Sequence, residues 1–497
     1  MSVGDGREGK VRAALHGKGQ LGGSLAGLSL PRQIIHIALW PLLEQVMSFI
    51  CASTSLYLAT HMNTPDEVTE QIASGIGVTG YVMWLGFLMQ GAVGMGATAI
   101  VSRMTGARKF GEANYAANQA AVLGLLAGVL SALLMYLTAE FLVTKALTLS
   151  DYAQEVALMY MHTGCWVAIF SGIVFAVNAA LRGAGDTRTP FLIMLAVDGL
   201  NIVFSVIFVY CFGMFIEGLA LGMVAGMAVA AGILLGILAS RAAKMRRRLA
   251  GASLDEYAAG QAATYVPPLY LSLHQLLPNL RTMYRILSIG LSQALEIGGI
   301  WLIQIYVLRV ISGLGDAYVG AHTIAIRIES MSFLPGFAIG MAGATLVGQY
   351  LGSGSVRLAL ETIRKCVRYS VIFMGLMGVA FYAFPEIFVK IFASNSAGLM
   401  TATVPVVQVF LLVEPFYAAM LMLKMCLRGA GDTRRVMYVS YGCMGFFRVG
   451  CLFLWNYFWP ETLSLVGIWL LFSVDLAVEY LVLNRMLCKL KWARRKV

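Results

Sequence analysis

The chain has 497 residues, of which 59% are hydrophobic and only 12% charged, with a formal net charge of +11 and a mean hydropathy of +0.77. A soluble domain carries roughly twice that charge, so the composition excludes one and describes a polytopic membrane protein. Nucleic-acid binding is not implied, because the cations sit between apolar runs rather than on one patch.

Residues 1–30 are Gly-rich, carry mixed charge and lack the apolar core of a signal peptide. They are expected to form a flexible cytoplasmic tail. Twelve apolar segments follow, at 34–59, 73–102, 115–139, 153–181, 190–213, 218–240, 285–311, 318–350, 360–384, 400–427, 436–459 and 464–488. Most exceed the roughly 20 residues that cross a hydrocarbon core as helix. Helix is required there, because lipid cannot satisfy backbone polar groups.

The loops alternate in charge. Arg103, Arg108 and Lys109 follow the second segment, and Arg182 and Arg188 the fourth. Arg241, Lys244 and Arg246 to Arg248 follow the sixth; Arg357, Arg364 and Lys365 the eighth; Arg434 and Arg435 the tenth. The intervening loops hold Asp66, Glu67, Glu70, Asp151, Glu217, Asp316 and Glu461, with Lys145 and Lys390 as exceptions. The positive-inside rule then puts both termini in the cytoplasm of a multi-pass protein of the plasma (inner) membrane. The expected organisation is an N-lobe over 31–240, a cytoplasmic linker over 241–284, a C-lobe over 285–490 and a basic tail over 491–497. Within the linker, 269–283 reads equally as an interfacial amphipathic stretch or as a solvated connection.

The sequence is internally repeated. Leu-Arg-Gly-Ala-Gly-Asp-Thr-Arg starts at Leu181 and again at Leu427, 246 residues later. Val101–Gly106 and Val347–Gly352 have the same separation and both follow Gly/Ala-rich stretches. Two six-helix lobes related by a pseudo-two-fold axis along the membrane normal follow, with a site between them. An internal duplication also favours a monomer over a channel assembled around one axis. The octapeptide itself reads as a tight cytoplasmic turn. Gly183 and Gly185 permit positive φ, Asp186 caps the next helix, and Arg182 and Arg188 face the anionic inner surface.

At these residues the chain resembles the multidrug and toxic compound extrusion (MATE) family of the MOP flippase superfamily. The likeness runs from Pro41 to Lys489. It rests on the two octapeptides, on Gly320-Ala-His-Thr-Ile-Ala-Ile326 (with Thr323 where Gln is usual), on Gly340–Gly352, and on Gly467-Ile-Trp469 followed by Asp475. The resemblance implies an all-α, V-shaped transporter of twelve transmembrane helices. It would export amphipathic, often cationic, organic compounds in exchange for H⁺ or Na⁺, with no cofactor and no enzymatic step.

The resemblance also says where coupling acids belong. Many relatives carry Asp late in the first segment, where this chain has Ala52-Ser-Thr-Ser55, and another in the fifth, where Ser205 stands. Asp198 lies two turns before Ser205 and close to Asn201. Glu296 matches the family's glutamate in the seventh segment, and Tyr417 stands where some relatives have Asp, three residues after Glu414.

An ionised side chain at a helix centre costs about 2.5–3.5 kcal/mol, so such residues pair, take up a proton or bind an ion. The cation-coupling candidates are Glu296, Glu414, Asp198 and Asp475, with any Na⁺ near Glu296 and no other metal. Glu44, Asn201, Thr323, Glu329, Tyr417 and Arg448 are the supporting cavity candidates. Arg448 paired with Glu414 or with Asp475 is the structural alternative.

The eight Cys are scattered without zinc-ligand spacing and read as small apolar fillers. No Walker-A sequence, no HExxH and no Ser/His/Asp grouping is present, which disfavours an ATP-driven pump or an enzyme. The second functional reading is a flippase of the same superfamily, moving a polar lipid or lipid-linked saccharide.

Overall fold

The computed structural model describes residues 21–60, 66–141, 143–144, 151–214, 216–249, 251–262, 264–392 and 397–494. Most of the N-terminal tail, Lys145 and the last residues of the basic tail lie outside them. The first apolar segments form α1 (Leu30–Thr60) and α2 (Asp66–Gly106), and the third forms α3 (Phe110–Phe141). The fourth is not one helix. α4 (Asp151–Gly164) and α5 (Val167–Gly183) meet at an angle of 52°. Then come α6 (Arg188–Val206), α7 (Ile216–Leu249) and a short linker helix α8 (Leu254–Ala259). The second half has α9 (Leu280–Ser312), α10 (Asp316–Gly352), α11 (Val356–Ala383), the short α12 (Pro385–Phe392), α13 (Ala397–Gly429), α14 (Thr433–Met444), α15 (Leu452–Phe458) and α16 (Leu465–Cys488).

Among the described residues, nine helical spans are long and apolar enough to cross a membrane, and the bent α4–α5 pair is a tenth. With α1 and α2, 31 and 41 residues long, the set reaches the predicted twelve. No strand occurs among the described residues. The apolar surface is that of a lipid-facing protein. Leu126, Leu130, Leu133 and Leu137 on one face of α3 are all exposed, a stripe no water-soluble monomer leaves bare.

The chain divides into two compact units. One holds Leu21–Ala26 and Leu43–Ala294; the other holds Gly27–Leu42 and Leu295–Val497. Both divisions fall inside a helix. The first lies beside Pro41 in α1, where the backbone lacks an N–H. The second lies inside α9, just before Gly298 and Gly299.

In the first-half unit, α3 and α5 cross on glycine. A Cβ at Gly124 or Gly172 would run into the other helix's backbone, and one at Gly128 would meet Ala168 O. That spacing lets helices touch where no hydrophobic effect drives them together. The two octapeptides form the expected turns, with Gly185 at φ +93° and Gly431 at φ +85°. The Thr189 backbone N–H donates to Asp186 Oδ1 at 3.0 Å, so the cap is formed. Gly183 is not a positive-φ residue. A Cβ there would meet Thr98 O of α2 at 3.0 Å, so its role is close approach, and Gly429 is likewise pressed against Ala344 of α10.

The linker is neither loose nor wholly solvated. Ser253 and Glu256 cap α8 reciprocally, with Ser253 N donating to Glu256 Oε2 at 2.8 Å and Glu256 N to Ser253 Oγ at 3.2 Å. The Ser253 N–H holds the Glu256 carboxyl below its usual range. Downstream, Asn114, Asn118 and Gln119, all buried on α3, grip residues 270–279. Tyr270 N donates to Asn114 Oδ1 (2.9 Å), Ser272 N to Asn118 Oδ1 (3.1 Å) and Asn279 N to Gln119 Oε1 (2.8 Å). In return, Asn118 Nδ2 donates to Tyr270 O, and Gln119 Nε2 to Gln275 O and Leu277 O. The outer side of this strap is apolar: Leu273, Leu277 and Leu280 are 80%, 67% and 81% exposed. That exposure favours the interfacial reading of the stretch.

Candidate functional site

The second-half unit has a charged interior. α13 supplies Glu414, Tyr417, Lys424 and Arg428 at helical spacings that share one face. α16 supplies Asp475 and Glu479, one turn apart and both buried. α9 brings Glu296, α10 brings Glu329 and Ser332, and α14 brings Ser440. Arg448 sits in a π-helical stretch, Gly445–Cys451, that joins α14 to α15. The fifth apolar segment has a counterpart π stretch at Ile207–Cys211. Such bulges re-aim side chains within a helix and recur at functional sites.

Two groups of charges close on themselves. Glu296 is fully buried and lies 2.8 Å from Arg428 Nη2 and 3.4 Å from Lys424 Nζ. It also accepts from Ser440 Oγ at 2.6 Å. Lys424 reaches on to Glu479 at 2.7 Å. The group holds two acids and two bases. Arg448 Nε donates to Asp475 Oδ2 at 2.6 Å, and its guanidinium lies over the Phe472 ring at 4.4 Å. Of the two structural pairings open to Arg448, the one with Asp475 is formed.

Two acids remain. Glu414 Oε1 accepts from Ser332 Oγ at 2.5 Å, while its Oε2 is buried without a hydrogen-bond donor. Glu329, one turn before Ser332 on α10, lines a cavity of about 280 Å³ together with Tyr417, Arg448, Trp469 and Phe472. Among the described residues, neither Glu329 nor Glu414 forms an ion pair. Tyr417 stacks on Phe333 at 5.9 Å between ring centroids, so aromatic rings flank the unbalanced acids. Thr323 is exposed and donates to Val319 O at 3.0 Å; it does not line this cavity.

The first-half unit holds a smaller arrangement. Arg182 Nη2 donates to both Glu44 oxygens, at 2.6 and 2.7 Å. This overturns the surface-anchor reading of Arg182: an acid of the first span, Glu44, outcompetes lipid for the guanidinium. Arg428, its counterpart in the second octapeptide, reaches Glu296 in the same way. Asp198 Oδ2 accepts from Ser48 Oγ at 3.1 Å. Asn201 donates weakly to Cys51 Sγ at 3.8 Å and accepts from Ser205 Oγ at 3.2 Å. Asp198 and Asn201 therefore both face α1. The side chains of Ala52, Ser53 and Ser55 lie outside the described residues.

Sequence reasoning missed Lys424, Arg428, Ser332 and Ser440 as members of the site. Lys424 carried a readable signal, a lone cation inside an apolar segment. Arg428 was hidden by its place in a motif that reads as a turn.

The sequence profile of the MatE family matches residues 42–207 and 290–453. A probable multidrug resistance protein NorM of Thermotoga maritima is 26% identical over 476 residues, 94% of each chain. Another, of Pasteurella multocida, is 24% identical over 61% of each. Among solved structures, a mutant of the Vibrio cholerae MATE transporter VcmN superposes with a TM-score of 0.78 at 16% identity, covering 94% of this chain and 99% of that one. A MOP superfamily transporter from Pyrococcus furiosus, whose reversed binding-pocket polarity is said to suggest a different function, superposes with a TM-score of 0.75 at 18% identity, covering 98% and 99%. With both halves of the chain matched by one profile, the protein belongs to the MATE family of membrane transporters.

Proposed function

We propose that the protein exports amphipathic organic compounds, cationic ones among them, by antiport against H⁺ or Na⁺. The observation that carries this is the charge imbalance inside the second-half unit. Glu296, Glu479 and Asp475 are matched by Lys424, Arg428 and Arg448, whereas Glu329 and Glu414 are not. Two unmatched carboxyl groups in a low-dielectric interior call for a cation. A proton, Na⁺ or a cationic substrate satisfies the same need, and competition for one charge is what antiport requires. Coupling therefore falls to Glu414 with Glu329 and Tyr417 beside it, and Glu296 and Asp475 hold the helices in register. Asp198, with Ser48 and Asn201, is the matching acid of the first-half unit.

The flippase reading needs unmatched cations to receive a phosphate. Lys424 and Arg448 are both engaged by acids, which favours the exporter. The chain is read as a monomer in the plasma membrane with the 241–284 linker in the cytoplasm.

The test is dye movement in proteoliposomes, using ethidium as a lipophilic cation and imposing a pH gradient or a Na⁺ gradient separately. One gradient alone is expected to drive it, and E414Q and E329Q are expected to abolish the driven component while leaving the protein folded. Undiminished driven transport in E414Q would refute this assignment. Movement under neither gradient would remove antiport itself.

A further inference from the structure

We infer that the first-half unit binds one anionic phospholipid in a cavity under the linker. The site is separate from the acids discussed above. The cavity has a volume of about 530 Å³, in the range that holds a small ligand. Its apolar lining comes from Ile100 and Met104 of α2, Ala116 of α3 and Leu254 of α8. Its polar residues include Tyr115, Gln275, Thr282 and Arg285, with one acid, Glu112, whose carboxylate is paired with Lys109 Nζ at 2.8 Å. Ile100 lies six residues inside the end of α2 and Ala116 six residues inside the start of α3, roughly 9 Å from each helix end. That depth matches the boundary between headgroups and acyl chains.

The walls are built rather than incidental. Gln275 is fixed by Asn114 Nδ2 at 2.8 Å and Asn118 Nδ2 at 3.2 Å. The strap that carries it is held by the buried amides of α3, and α8 is tied down by Gly111 N donating to Asp255 Oδ1 at 3.0 Å. Two further observations select the ligand. The segments that frame the cavity carry Arg108, Lys109, Lys244, Arg246, Arg247, Arg248, Arg281 and Arg285 against Glu112, Asp255 and Glu256, an excess that attracts anions. The strap's exposed Leu273, Leu277 and Leu280 lie outside the cavity lining and seat the strap at the bilayer surface. A soluble anion accounts for the basic excess alone; an anionic phospholipid also accounts for the apolar lining and the strap's place at the bilayer, with its phosphate toward Arg285 and Thr282 and a chain against Ile100 and Met104.

The inference rests on the transporter reading only for placing this end of the helices at an anionic leaflet, and its test needs no transport. Delipidated protein in neutral detergent is titrated with phosphatidylglycerol, phosphatidylcholine or glycerol 1-phosphate, reading retained lipid by native mass spectrometry and the melting midpoint. Phosphatidylglycerol alone is expected to bind, one molecule per chain, and to raise the midpoint. R285Q is expected to weaken it about tenfold, the loss of one charge-assisted contact. Y115F, which keeps the charge, serves as a second variant if R285Q does not fold, and is expected to weaken binding less. Equal binding by phosphatidylcholine, unchanged affinity in R285Q, or for a non-folding R285Q unchanged affinity in Y115F, would overturn the proposal. Full stabilisation by glycerol 1-phosphate would overturn the lipid in favour of a soluble anion.

Discussion

Arg182 and Arg428 occupy the same place in the two octapeptides, and each meets a glutamate from the first span of its own half, Glu44 or Glu296. The repeat thus conserves an interaction as well as a turn. Its energetics follow from burial. Arg428 and Glu296 are 7% and 0% exposed, and removing one member of such a pair strands a charge, at a cost of about 3–5 kcal/mol. Arg428→Met is therefore expected to lower the melting midpoint in detergent sharply. The double variant Arg428→Met with Glu296→Gln is expected to recover much of the loss, because the stranded charge is gone. Lys424 and Ser440 limit the recovery, since both also engage Glu296. A cycle in which the two effects simply add would mean that Arg428 and Glu296 are not energetically coupled.

At the scale of elements, the twelve spans were legible because lipid leaves the sequence little choice. A long apolar run must be helix. Partners within the interior were not legible, because helical spacing tells which residues share a face and not which helix that face meets. Glu296 reads as a lone acid in SQALEIGG until α13 brings Arg428 and Lys424 to it. The 52° break between α4 and α5 was equally hidden, since nothing in 153–181 punctuates the helix as Pro does. The linker was the largest surprise. Its anchors Asn114, Asn118 and Gln119 read as the polar start of a helix, yet 246 residues later the second half has Leu360, Arg364 and Lys365. The amides occur only in the half that has a strap to hold. Asn118→Leu removes both a donor and an acceptor to the strap, each worth about 1 kcal/mol. The Ser272 amide, which donates to Asn118 Oδ1, is then expected to exchange hydrogen with solvent roughly tenfold faster or more. Unchanged exchange would show that the strap is held by packing alone.

For the whole molecule, the decisive question is which way the chain crosses the membrane, because every assignment of a cytoplasmic face rests on it. Two cysteines allow a direct answer. Cys211 and Cys488 are exposed, whereas Cys51, Cys165, Cys366, Cys426 and Cys443 are buried. Cys211 ends the π stretch after α6 and is followed by the short connection to α7. Cys488 ends α16, next to the basic residues Lys489 and Lys491. Positive residues favour the inner side, so the charge rule predicts the two thiols on opposite sides of the membrane. In single-cysteine versions of the protein, a membrane-impermeant maleimide added to intact cells is expected to label Cys211 and to spare Cys488 until the membrane is opened. The reverse pattern would invert the topology and place the linker, with its proposed lipid cavity, outside. Labelling of both in intact cells would mean that the basic loops do not set a single orientation, and the charge argument would fail for this chain as a whole.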